Sequence, residues 1–111
     1  MELINTIRSK PQAFISLCRK HRVDKVFGFG SAIREDFDKH TSDIDIVVEL
    51  DIKDPVQYGD TLLKLWDDLE NYFGRKVDLL TDASIRNPYL RKSVNQTKKL
   101  VYDGQGEKVF V

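Results

Sequence analysis

The chain has 111 residues, with 18 basic and 18 acidic side chains that cancel, so no global basic field recommends nucleic acid as a partner. Its one cysteine rules out an internal disulfide and fits a reducing, cytoplasmic setting, and no apolar run reaches membrane length. The size predicts one domain over residues 1–111, long enough to bury a core.

In chain order, Pro11 suits a helix first turn, with Phe14, Leu17 and Cys18 on one stripe. Arg19, Lys20 and Arg22 cluster at its end, where His21 favours the negative pole of the helix. Cys18 reads as a core-facing residue rather than a nucleophile. Val23 to Phe29 predicts the first strand, Ser31 to Arg34 a helix start, and Asp43 to Val48 the second strand. Asp54-Pro55 opens the clearest helix. Tyr58, Leu62, Leu65, Trp66, Leu69 and Phe73 recur at helical spacing, and Gly74 ends it, which assigns Tyr58 and Trp66 to the core. Val77 to Leu80 predicts a third strand and Pro88 to Asn95 a shorter helix. Leu100-Val101-Tyr102 and Val109-Phe110-Val111 flank a turn at Asp103-Gly104-Gln105-Gly106. The last of these segments either covers its own sheet or pairs with another chain, a route to a homo-oligomer. Alternating helices and strands predict an α/β sandwich with a mixed sheet.

The chemistry lies in the first two strands. Gly30 follows a strand and precedes a predicted helix, a junction that leaves unpaired N–H groups for phosphate oxygens. Gly30 permits close backbone approach, and the Ser31 hydroxyl adds a donor. Asp43 and Asp45, two positions apart on a strand, share one face. Two carboxylates so close repel each other, and a hard divalent cation relieves the conflict; Mg²⁺ typically binds through one or two carboxylates plus substrate phosphates. Asp78, also on a strand, completes the cluster if its strand lies beside that of Asp43. The pattern points to metal-assisted transfer of a nucleotide.

Competing motifs fail. Ile33 stands where a dinucleotide-binding fingerprint needs a small residue, and no Gly-Lys-Ser/Thr follows for a P-loop. A calcium loop from Asp36 finds Thr41 at the glycine position and Val47 at the twelfth. The Asp36-Phe37-Asp38 pair lacks an apolar strand behind it and reads as a solvated loop, as does His40. Arg91-Lys92 with Lys98-Lys99 reads as a solvated face. Asn95-Gln96-Thr97 matches a glycosylation sequon that is idle without secretion.

Gly30-Ser31, Arg34, Ser42-Asp43-Ile44-Asp45 and Val77-Asp78-Leu79 resemble the minimal nucleotidyltransferases of the DNA polymerase beta-like superfamily. Asn87-Pro88-Tyr89-Leu90 and Leu100-Val101-Tyr102 are similar to that family's C-terminal part, so the likeness spans nearly the whole chain. The resemblance implies a palm with a mixed sheet and helices packed on it. It also implies Gly30, Ser31 and Arg34 at the nucleotide, and Asp43, Asp45 and Asp78 as metal ligands and catalytic carboxylates. Asp78 would be the possible base for the attacking hydroxyl. Glu35 departs from the glycine that many relatives carry after the arginine.

Small members of this family often accompany a helical toxin of the HEPN class, which implies transfer of an AMP unit from ATP or another NTP, with Mg²⁺, to a partner protein. The alternatives are a binding module that neutralises its partner by contact, and a small-molecule transferase of the aminoglycoside type. The latter is disfavoured because the chain has no second domain to hold a sugar.

Overall fold

A computed structural model of the chain describes residues 2–30 and 43–111. The described elements are helices α1 (Glu2–Ser9) and α2 (Pro11–Lys20), strands β1 (Val23–Gly28) and β2 (Ile44–Leu50), then helix α3 (Pro55–Phe73). Strand β3 (Val77–Thr81), a short 3₁₀ turn (Asp82–Ser84), helix α4 (Pro88–Thr97), and strands β4 (Lys99–Asp103) and β5 (Lys108–Val109) follow. Ser31, Arg34, Glu35, Asp36, Asp38, His40 and Ser42 lie outside the described residues, as does the predicted helix start at Ser31.

The strands form one five-stranded sheet in the order β3-β2-β1-β4-β5. β1 runs antiparallel to both β2 and β4, β4 antiparallel to β5, and only β2–β3 is parallel. The sheet is therefore mixed, as the helix–strand alternation predicts.

Period-two burial assigns the two faces. In β2, Ile44, Ile46 and Val48 are fully buried, and they join Val77 and Leu79 of β3 and Val26 of β1 in the main core. Leu3, Ile4 and Ile7 of α1, Phe14 and Cys18 of α2, and Leu65, Leu69 and Phe73 of α3 cover that face. Each fully buried aliphatic side chain contributes about 1.5–3 kcal/mol. The opposite face carries a smaller cluster of Phe29, Val47, Ile85 and Val94, with Phe27 and Leu80 packed against it. Only α4 among the described helices contributes to that cluster, through Val94.

Local signals explain the boundaries. Asp54 caps α3 by accepting the Gln57 N–H at 2.9 Å, and Gly74 ends it in the left-handed region at φ 68°. Asn87 caps α4, accepting from the Tyr89 and Leu90 amides. Tyr58 and Trp66 pack against the core but are only half-buried. Burial raises the Cys18 thiol far above its ordinary range, which leaves it inert. The C-terminal segment covers its own sheet: β5 pairs with β4, and the Phe110 N–H donates to Val101 O at 3.0 Å. The regular strand is only Lys108–Val109, shorter than the apolar run suggests, and α4 runs to Thr97 rather than Asn95.

Candidate active site

The C-terminal end of β1 meets the N-terminal ends of β2 and β3. Because Ile44, Ile46 and Val48 take the core face of β2, Asp45 falls on the opposite face with Val47. In β3 the same alternation puts Asp78 on that face with Leu80, since Val77 and Leu79 point to the core. The parallel register pairs Asp45 with Asp78, and neighbouring strands lie about 4.8 Å apart. β2 begins only at Ile44, so Asp43 immediately precedes the strand, two positions from Asp45, rather than lying on it as the spacing predicts. Asp43 and Asp45 are half-buried, whereas Asp78 is exposed.

Gly30 lies close against Asp45. The Phe29 N–H donates to Asp45 O at 3.1 Å and brings the chain end of β1 alongside Asp45. Gly30 then turns in the left-handed region at φ 60°, and a Cβ added to it would lie 2.8 Å from Asp45 Oδ2. Only glycine fits so close an approach in that conformation.

The helix α4 closes the other flank. Arg91 clasps the 3₁₀ turn after β3: its Nη1 donates to Asp82 Oδ1 at 2.6 Å, and its Nη2 to Asp82 O at 2.8 Å and Ile85 O at 3.0 Å. At the far end of the helix, Thr97 Oγ1 accepts the Gly30 N–H at 3.3 Å. The next residue, Lys98, holds its Nζ 5.0 Å from the centroid of the Phe27 ring. Arg91 and Lys98 thus have defined contacts, which the sequence reading as a solvated face did not anticipate. Lys98 meets a ring from far along the chain, whereas Arg91 reaches back only nine and six positions, to Asp82 and Ile85.

The second flank is the α3 side of β3. Trp66 Nε1 donates to Val77 O at 2.7 Å, and Glu70 Oε2 accepts the Val77 N–H at 2.9 Å. β3 is an edge strand, and these two side chains, one helical turn apart, satisfy its outward backbone groups beside Asp78.

Among the described residues no group of three acidic, histidine or cysteine side chains converges into a metal cage. What is present is a pair of register-neighbour carboxylates with a third just before the strand. That donor set suits Mg²⁺, which binds through one or two carboxylates and takes its remaining ligands from water and substrate phosphates. A separate cleft of about 290 Å³, lined by Arg19, Arg22, Asp24, Asp51 and Glu107 among others, sits at the other end of β1. It mixes both charges, and Arg19 is already paired with Glu107, so it offers no competing phosphate site. His21, buried at the end of α2, shares a hydrogen bond with Asp68 of α3 at 2.7 Å and is a packing contact.

Comparison with known proteins adds the chemistry. A nucleotidyltransferase domain profile matches residues 12–101. A candidate protein adenylyltransferase of Methanocaldococcus jannaschii is 45% identical over 84 residues, covering 72% of this chain and 78% of the relative. A second from the same organism is 40% identical over 77 residues, covering 69% and 75%. A solved candidate minimal nucleotidyltransferase superposes with a TM-score of 0.59 at 27% identity, over 86% of this chain and 93% of that one. A toxin–antitoxin complex solved with AMP-PNP shares the fold, with a TM-score of 0.61 at 24% identity over 88% and 77% of the two chains.

Proposed function

The chain belongs to the nucleotidyltransferase domain family, and from that premise we propose that it transfers an AMP unit from ATP to a hydroxyl of a helical partner protein. The observation that carries this reading is the Asp45–Asp78 register pair, with the Gly30 turn packed close against Asp45. Two of its relatives are named as candidate protein adenylyltransferases, which supports both the nucleotide and the class of acceptor. A fold neighbour in the solved structures is the antitoxin bound to a tri-AMPylated HEPN toxin of Shewanella oneidensis, with a TM-score of 0.50 at 24% identity. A toxin of that helical class is the partner that best fits.

Asp43 and Asp45 would hold Mg²⁺ against the triphosphate, with Gly30, Ser31 and Arg34 at the phosphates. When bound, the cation offsets the charge of the attacking and leaving oxygens. The acceptor oxygen forms a bond to the α-phosphorus, and the bond from that phosphorus to the bridging oxygen breaks. Pyrophosphate leaves with the electron pair. The exposed Asp78 carboxylate is the group an incoming protein surface can reach, and it accepts the hydroxyl proton. Asp45, half-buried against Gly30, is kept for the nucleotide side.

Neutralisation of the partner in cells tests this reading. The wild-type chain should relieve toxicity, and the Asp43→Asn, Asp45→Asn double variant should not. Full relief by the double variant would instead establish neutralisation by contact alone.

A further inference from the structure

Two side chains come close to Gly30. One is the Asp45 carboxylate, close enough that a Cβ would lie 2.8 Å from Oδ2. The other is Thr97, whose Oγ1 accepts the Gly30 N–H at 3.3 Å across 67 positions of chain. The Thr97 hydroxyl also donates to Ser93 O at 2.8 Å, one turn back along α4. A hydroxyl has one proton, and here it goes to Ser93, leaving only lone pairs toward Gly30. The polarity of the link is therefore fixed: Gly30 gives and Thr97 accepts.

The acceptor is also fixed in space. Val94 seats α4 in the small cluster with Phe29 and Val47, and Arg91 ties the first half of the helix to the turn after β3. Phe29 precedes Gly30 directly, and Val47 lies two positions along β2 from Asp45. The same cluster thus anchors both ends of the link.

We propose that Thr97 is a positioning residue of the nucleotide site, holding the left-handed turn at Gly30 against Asp45 by accepting its amide. This rests on the nucleotidyltransferase reading above and names a part of that site to which the family pattern gives no role. Gly30 then contributes its missing side chain, because its N–H is committed to α4. The threonine of the Asn95-Gln96-Thr97 triplet thereby acquires a use inside the fold.

Removing the hydroxyl leaves the buried Gly30 amide without an acceptor and frees the turn to shift relative to Asp45. A purely structural threonine would change the melting temperature and leave nucleotide affinity alone. A positioning threonine changes affinity in a folded protein. The test is calorimetric titration of AMP-PNP with Mg²⁺ into the wild type and into Thr97→Val, Thr97→Ala and Thr97→Ser, with melting temperatures measured alongside. Thr97→Val and Thr97→Ala should bind about tenfold more weakly, equivalent to about 1.4 kcal/mol, and Thr97→Ser within about twofold of the wild type. Folded Val and Ala variants that bind as the wild type does would overturn the assignment, as would a Ser variant weakened as much as Val. If neither Val nor Ala folds, Gly30 amide exchange decides: slow exchange in both wild type and Thr97→Ser supports the link, and fast exchange in the wild type refutes it. A wild type that binds no nucleotide overturns the transferase reading itself, whereas a binding wild type with unaffected variants overturns only the role of Thr97.

Discussion

Asp45 and Asp78 face each other across the parallel pairing of β2 with β3, on the sheet face that α1, α2 and α3 leave uncovered. Parallel register puts both side chains on one side, at the strand ends nearest the Gly30 turn. Opposed carboxylates lend each other no stability, and a bound divalent cation would draw on both. Asp78→Asn should therefore leave the melting temperature of the metal-free protein unchanged or slightly raised. Nucleotide transfer should fall by about 10²–10³-fold. Calorimetry for the first quantity and a transfer rate for the second check both signs.

Gly30→Ala sets a sharper steric test. A left-handed backbone costs a residue with a Cβ about 1–2 kcal/mol, and this Cβ would also press on Asp45 Oδ2. The substitution should lower the urea midpoint accordingly and weaken nucleotide binding in the same protein. Loss of stability with full affinity would mean that the turn does not set the position of Asp45.

Glu70 and Trp66 hold Val77, the residue before Asp78, by both of its backbone groups. Glu70→Ala leaves a buried N–H without a partner, which costs about 1–3 kcal/mol. Glu70→Gln keeps a carbonyl acceptor in place and should recover most of that loss. Urea denaturation of the two variants separates the hydrogen bond from the charge. A similar loss in both would show that the carboxylate charge, not the acceptor, matters there.

The His21–Asp68 contact predicts a slope on the acid side. The hydrogen bond from His21 holds the Asp68 carboxyl below its ordinary value of 3.8, with partial burial pulling the other way. A depressed folded value means the folded state binds fewer protons. The stabilisation is then complete above about pH 4 and is lost as pH falls through the folded value. Urea midpoints taken downward from pH 5 should fall more steeply for the wild type than for Asp68→Asn. Parallel slopes would remove Asp68 from the acid limb.

Much of this was legible in the sequence, and the reason is locality. Proline and glycine mark the ends of α3 at Pro55 and Gly74, and the alternation in Ile44-Asp45-Ile46 reveals which face of β2 is buried. Asp78 could be singled out because a charged residue interrupts an apolar strand. That β3 lies beside β2, rather than elsewhere in the sheet, no local pattern states. The links Gly30–Thr97, Trp66–Val77 and Arg91–Asp82 left no trace, since each joins a side chain to a group brought near only by the finished fold. The first helix, α1, also went unseen: its apolar residues Leu3, Ile4 and Ile7 make too short a stripe to stand out without the core they enter.

The most direct measurement is transfer of labelled AMP from ATP to a purified helical protein of the proposed partner class, comparing the wild type with Asp45→Asn. The wild type should label the partner with Mg²⁺ and stop when EDTA is added, and Asp45→Asn should be slower by about a hundredfold or more. Equal labelling by the two proteins would contradict the assignment of this carboxylate pair as the reaction centre.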